Sequence, residues 1–271
     1  MTELHPLDTS VQLIPLGNGR FEGRPPKAYW NIVGPYGGIS AAIVVNAVLL
    51  SDDVIGEPLS LTVNFTAPIR DVAFELHVEA VRSSRTTQHW VIAMSQPKSD
   101  GSGNDRVLQA MLTTGLRRKL WSTQSGQVPT PARSPQESRQ RTGRAGLPWF
   151  DCYDQRFTEN PMKADDPSAQ VLTWVRDNPP RTLDYPALAA VCDTFFPAIF
   201  AERKKFIPIA TVSMNTYFHT TAAELTRIGS GYLLTSSSSN VYHQGFCDVE
   251  GKVWADDRLI ASSQQVMWYR E

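Results

Sequence analysis

Ile209-Ala210-Thr211-Val212-Ser213-Met214-Asn215-Thr216-Tyr217-Phe218 has the composition of a β-strand. It follows an apolar helical segment, Tyr185-Pro186-Ala187-Leu188 into Phe200. It precedes a two-strand return, Gly231 to Cys247 and Val253 to Tyr269. The same succession occurs once before. Gly37-Gly38-Ile39-Ser40-Ala41-Ala42 runs into Leu50, then Leu61-Thr62-Val63-Asn64-Phe65, then Val72 to Gln96 and Val107 to Leu116. Phe65 and Phe218 end equivalent strands, 153 positions apart. A helix-plus-antiparallel-sheet unit written twice predicts an α+β pseudo-dimer fused in one chain, and asymmetry between the copies marks where function sits.

Each copy carries its own local signals. Asn18-Gly19 is a hairpin turn between Val11-Gln12-Leu13-Ile14 and Arg20-Phe21-Glu22-Gly23. Gly17, Gly19 and Gly23 are spaced GxGxxxG between strands, which is not a dinucleotide loop. The helix opened by Gly37-Gly38 is apolar almost all round, so it is expected to be wrapped by a curved sheet. Lys98 to Asp105 is a polar turn between two strands of a meander. Residues 119–148 hold four prolines with Ser, Gln and Arg and few apolar side chains, as a surface linker does. The expected organisation is therefore 1–118, a linker over 119–148, and 149–271. In the second copy Phe150 to Phe157 and Ala169 to Val175 read as strands, and Asp184 as the N-cap of a helix with Pro186 in its first turn.

Bulk properties narrow the function. The 271 residues are 41% hydrophobic and 20% charged, an ordinary globular composition. A net charge of −1 argues against a nucleic-acid partner, while leaving room for a local basic pocket. Cys152, Cys192 and Cys247 are odd in number with no CxxC spacing, which suits reduced thiols in a cytoplasmic protein. No signal peptide is read at Met1-Thr2-Glu3-Leu4-His5-Pro6, and the run Ala41 to Leu50 is far short of the ~20 residues that span a membrane. The five histidines show no metal-binding spacing, no GxSxG elbow or P-loop occurs, and no metal or cofactor is expected. Glu202-Arg203-Lys204-Lys205 reads as a solvated helix end, or as a contact for a ligand phosphate.

Three polar residues stand out in the second copy. Asp193 falls within the apolar helical segment, where a carboxylate is either exposed, hydrogen-bonded to a neighbouring strand, or a base whose pKa burial has raised. Strand alternation puts Thr211 on one face with Ser213, Asn215 and Tyr217, a face that is either solvated or a lined site. Gln264 and Gln265 point to opposite faces of the last strand, so at most one can join a given site.

Asp193-Thr194-Phe195-Phe196-Pro197, then Ala210-Thr211-Val212 to Tyr217-Phe218-His219, then Arg258-Leu259-Ile260-Ala261-Ser262-Ser263-Gln264-Gln265 resemble the acyl-CoA thioesterase II family in order and spacing over nearly the whole chain. The resemblance implies a double hotdog, two fused units in each of which a curved antiparallel sheet wraps one long helix. It implies hydrolysis of acyl-CoA by a water that an Asp, a Thr and a Gln hold, here Asp193, Thr211 and Gln265. Pro58 stands where the first copy would carry Thr211, so one site per chain follows. Gly38, with Gly37, is expected to present an oxyanion donor across the pseudo-dimer interface, or simply to permit close packing there. Phe195, Phe196 and Tyr217 are candidates to line the acyl channel. The acyl-CoA substrate is the expected partner, with assembly into a homo-oligomer. Val212-Ser213-Met214-Asn215 replaces the family's Asp-His pair, and Asp256-Asp257 its Asp-Gly turn. A hotdog enoyl-CoA hydratase or dehydratase, and a non-catalytic acyl-CoA binder, are the alternatives.

Overall fold

A computed structural model describes residues 4–141, 146–163 and 170–270. The first copy begins with α1 (Pro6–Ser10), the hairpin β1 (Ile14–Gly17) and β2 (Arg20–Gly23), and α2 (Gly37–Leu49). The meander β3 (Glu57–Phe65), β4 (Phe74–Ser83), β5 (Thr87–Pro97) and β6 (Asn104–Gly115) follows. The second contains β7 (Arg139–Gln140), β8 (Tyr153–Phe157), β9 (Val171–Asp177), α3 (Tyr185–Val191) and α4 (Ala198–Arg203). Then come β10 (Ile209–Phe218), α5 (Ala222–Ile228), β11 (Leu233–Ser238), β12 (Tyr242–His243), β13 (Phe246–Ala255) and β14 (Arg258–Tyr269).

Among the described residues these strands form one sheet, β1-β2-β4-β5-β6-β3 continuing into β10-β14-β13-β11-β9-β8-β7, with β12 on β13. The seam is β3 against β10, antiparallel, with Thr62 opposite Asn215. Those two residues are 153 positions apart and are hydrogen-bonded, Thr62 Oγ1 to Asn215 Oδ1 at 2.8 Å. Each is the other's counterpart in the repeat, so the local two-fold axis passes between them. Every residue of α2 from Gly38 to Val45 is buried, as expected of a helix apolar all round, and α2 packs on α3. This is the α+β double hotdog.

Several local expectations need correction. The second helix does not run unbroken to Phe200. It stops at Val191, and Thr194 turns its hydroxyl back to the Val191 carbonyl at 2.8 Å. Pro197 disfavours helical backbone at Phe196, and α4 restarts only after it. Asp193 therefore sits in a break between two helices. Residues 6–10 form a short helix, so the first strand starts at Ile14 rather than Val11. Pro148–Cys152 make a 3₁₀ turn, which delays the next strand to Tyr153. Ala169, expected to open the following strand, lies outside the described residues. The return from Gly231 breaks after Ser238, and β13 starts only at Phe246. The helix at Ala222–Ile228 was overlooked, although Thr221 and Glu224 form a capping box visible in the sequence. The Asn18-Gly19 turn is as expected, both residues having positive φ (52° and 69°). Asp184 caps α3, accepting the Ala187 N–H at 2.8 Å.

Candidate active site

The break between α3 and α4 delivers Asp193 to the wall of a cavity of about 850 Å³. The first copy contributes Gly37 and Ser40 at the start of α2, β7 and the residue after it contribute Arg139 and Arg141, and the rest of the second copy contributes Phe195, Thr211 and Gln265. Gln265 Nε2 donates to Asp193 Oδ1 at 3.0 Å and to the Cys192 carbonyl at 3.3 Å. Gln265 Oε1 accepts from Thr211 Oγ1 at 3.3 Å. With acceptors at one end of the amide and a donor at the other, its orientation is fixed by the network. The three side chains form a chain, Thr211 to Gln265 to Asp193.

A β-bulge places Thr211. The β10–β14 register pairs Thr211 with Met267 but Ser213 with Val266, so Val212 is an extra residue. Past it Met214, Thr216 and Phe218 face inward, opposite Gln265, Ser263 and Ala261, and before it Thr211 faces inward with Ile209. Uniform alternation across this strand was therefore the wrong assumption. Thr211 does not share a face with Ser213, Asn215 and Tyr217; Tyr217 is 50% exposed and does not line the cavity. Gln265 is buried and Gln264 exposed, as opposite faces require.

Enclosure of the Asp193 carboxylate pushes its pKa up to about 7, against the Gln265 amide and the backbone N–H of Gly38, which favour the charged form. The side chain still meets the cavity, since it is only partly buried by surface area. The Gly38 N–H, expected to face an oxyanion, thus faces Asp193, and the positive end of α2 stabilises this carboxylate from across the interface. Both glycines are needed for that approach. A Cβ on Gly37 lies 2.8 Å from Asp193 Oδ2, and one on Gly38 lies 2.5 Å from the Ala190 carbonyl. Gly38 itself does not line the cavity, whereas Gly37 does.

Phe195 and Phe196 line the cavity. Phe195 lies over Gly251, where any Cβ would sit 2.1 Å from its ring. Sequence reasoning missed Tyr36, whose hydroxyl donates to the Ala190 carbonyl at 2.7 Å and whose ring stacks on Trp149 at 4.4 Å. It also missed Arg141, since an arginine in a polar linker carries no signal of burial. Glu202 to Lys205 are exposed and line no part of the cavity. Cys152, Cys192 and Cys247 are free and buried. Among the described residues no helix is long and apolar enough to cross a membrane.

Fold and cavity define a double-hotdog protein with a polar cluster at the junction of its two units. The N-terminal domain of acyl-CoA thioesterases matches residues 26–115 and their C-terminal domain residues 127–269, and the chain belongs to that family. A conserved protein of unknown function with a hot dog fold from Alicyclobacillus acidocaldarius is 34% identical over 99% of both chains, with a TM-score of 0.92. The acyl-CoA thioesterase II TesB2 of Mycobacterium marinum shares the fold, with a TM-score of 0.76 at 19% identity over 97% of this chain and 98% of that one. The dehydratase domain of RzxB from Pseudomonas fluorescens is more distant, with a TM-score of 0.59 at 11% identity over 93% and 94%. None of the curated proteins matches the chain by sequence.

Proposed function

We propose that this protein hydrolyses acyl-CoA thioesters by direct attack of water, with Asp193 as general base. The observation that carries the proposal is the Thr211–Gln265–Asp193 chain of hydrogen bonds at the wall of the cavity. A carboxylate with a pKa of about 7 is a base matched to neutral pH. It takes a proton from a water that the Thr211 hydroxyl also holds, and the water oxygen attacks the thioester carbon. The C–S bond then breaks and the departing thiolate recovers the proton from Asp193. Fixing the water between side chains that are already hydrogen-bonded to one another removes much of the entropic part of the barrier. The developing oxyanion is assigned to Gly37 at the first turn of α2, where N–H groups have no partner within the helix. In this reading 1–118 contributes the helix end, the linker 119–148 closes the cavity, and 149–271 carries the reacting set.

Thiol release is measured with saturated acyl-CoA, and hydration with enoyl-CoA. Thiol release without hydration is expected. A hydratase of the Asp/His kind is disfavoured because, among the described residues, no histidine lines the cavity. Single turnover in ¹⁸O-water separates direct hydrolysis from an anhydride on Asp193. Direct attack puts the label into the first acid released; an anhydride opened at the enzyme carbonyl leaves it in Asp193.

A further inference from the structure

Arg141 belongs to the polar linker, yet its guanidinium lies inside the cavity wall among aromatic rings. It stands 4.2 Å from the ring centre of Phe150, 5.7 Å from that of Phe157, and 5.9 Å from those of Trp149 and Phe196. The linker is tied down there, with the Arg141 N–H on the Gln155 carbonyl at 2.7 Å and Arg141 Nη1 on Gln155 Oε1 at 2.7 Å. Among the described residues no carboxylate lies within ion-pair distance of it. Burial draws its pKa down to about 10, the desolvation of a cation.

By surface area Arg141 is half-buried, open to the cavity on one side, and a cation boxed by rings with no counter-charge beside it is unusual. Aromatic faces offset only part of the cost of enclosing an ion. A guanidinium has five N–H donors in a rigid fork. Among the described residues its one side-chain acceptor is Gln155 Oε1 on Nη1, so Nε and Nη2 are available to a bidentate oxyanion. The indole N–H of Trp149, in the same wall, is buried with no acceptor among the described residues. Around Arg141 the wall therefore supplies a cation whose counter-charge is not among the described residues within ion-pair distance.

We propose that Arg141 receives a carboxylate borne by the acyl group, so that the substrates are carboxyacyl-CoA thioesters rather than simple fatty acyl-CoAs. This rests on the thioesterase reading and names its substrate class. The other oxyanions of such a substrate are the phosphates of CoA. Arg133 and Arg139 are exposed at the cavity, which suits a strongly hydrated phosphate; Arg141, boxed by rings, suits a single less hydrated charge.

The test uses pairs of non-hydrolysable thioethers on the full chain, S-carboxyalkyl-CoA against S-alkyl-CoA of equal length, over a series of lengths, with affinity read by calorimetry. At one or more lengths the carboxylate member is expected to bind the wild type about tenfold tighter or more. Arg141→Met is expected to erase that ratio, and Arg141→Lys to keep part of it. Equal binding, or preference for the alkyl member at every length, overturns the proposal, and this arm needs no variant to fold. The same pairs built on pantetheine lack the CoA phosphates. If Arg141→Met weakens both CoA members equally and neither pantetheine member, Arg141 reads a CoA phosphate and the proposal is wrong. Selective binding with no thiol release from any carboxyacyl-CoA upholds the anion site and overturns the thioesterase reading instead.

Discussion

At the residue scale everything turns on the charge of Asp193. Asp193→Asn keeps the size and removes the base, so kcat is expected to fall about 10²-fold or more, as thiol release from a saturating acyl-CoA measures. In the wild type kcat/KM should rise with pH to an inflection near 7 and then level, because the carboxylate is the active form. The Gln265 amide favours that carboxylate, so Gln265→Ala should move the inflection to higher pH as well as lower the plateau. The same group affects folding with a definite sign. Its pKa is raised in the folded state, so its contribution is most favourable below about pH 4 and is lost as pH rises through about 7. Asp193→Asn should therefore be stabilised relative to wild type more at pH 8 than at pH 5, read as urea midpoints at the two values. An equal difference at both would remove the buried charge from the account.

At the element scale the site depends on three departures from regular structure, and these were the least legible in the sequence. The resemblance picked out Asp193, Thr211 and Gln265 and the repeat gave the architecture, but alternation put Thr211 beside Tyr217, because a bulge at Val212 has no sequence mark of its own. The helix break was written in Thr194 and Pro197, yet an apolar run with helical spacing hid it. Gly251 is the third departure. A glycine inside a strand signals close approach of another group, here the Phe195 ring. Gly251→Ala forces that ring toward the cavity and is expected to destabilise the fold by about 1–3 kcal/mol. Adding Phe195→Leu should recover part of the loss. Additive losses in the denaturation midpoints of the double variant would show that the two residues do not share the space.

At the scale of the whole molecule, duplication repeats the framework, while the Thr211–Gln265–Asp193 hydrogen-bond chain belongs to the second copy. The bulge recurs in the first copy, where Pro58 pairs with Thr114 and Ser60 with Thr113, the same shift that Thr211 and Ser213 show 153 positions later. Backbone geometry was thus kept on both sides of the axis. Side chains were not: Pro58 stands for Thr211 and the buried Leu112 for Gln265, so the first copy has neither that hydroxyl nor that amide. In exchange it offers the glycines of α2 that let the Asp193 carboxylate approach a helix end. The first half therefore completes the second and receives nothing in return, and Arg141 closes the same side. Calorimetric titration with a non-hydrolysable acyl-CoA thioether should saturate at one ligand per chain. Saturation at two would mean that the first copy retained a binding site after losing its polar set, and the division of labour between the halves would have to be redrawn.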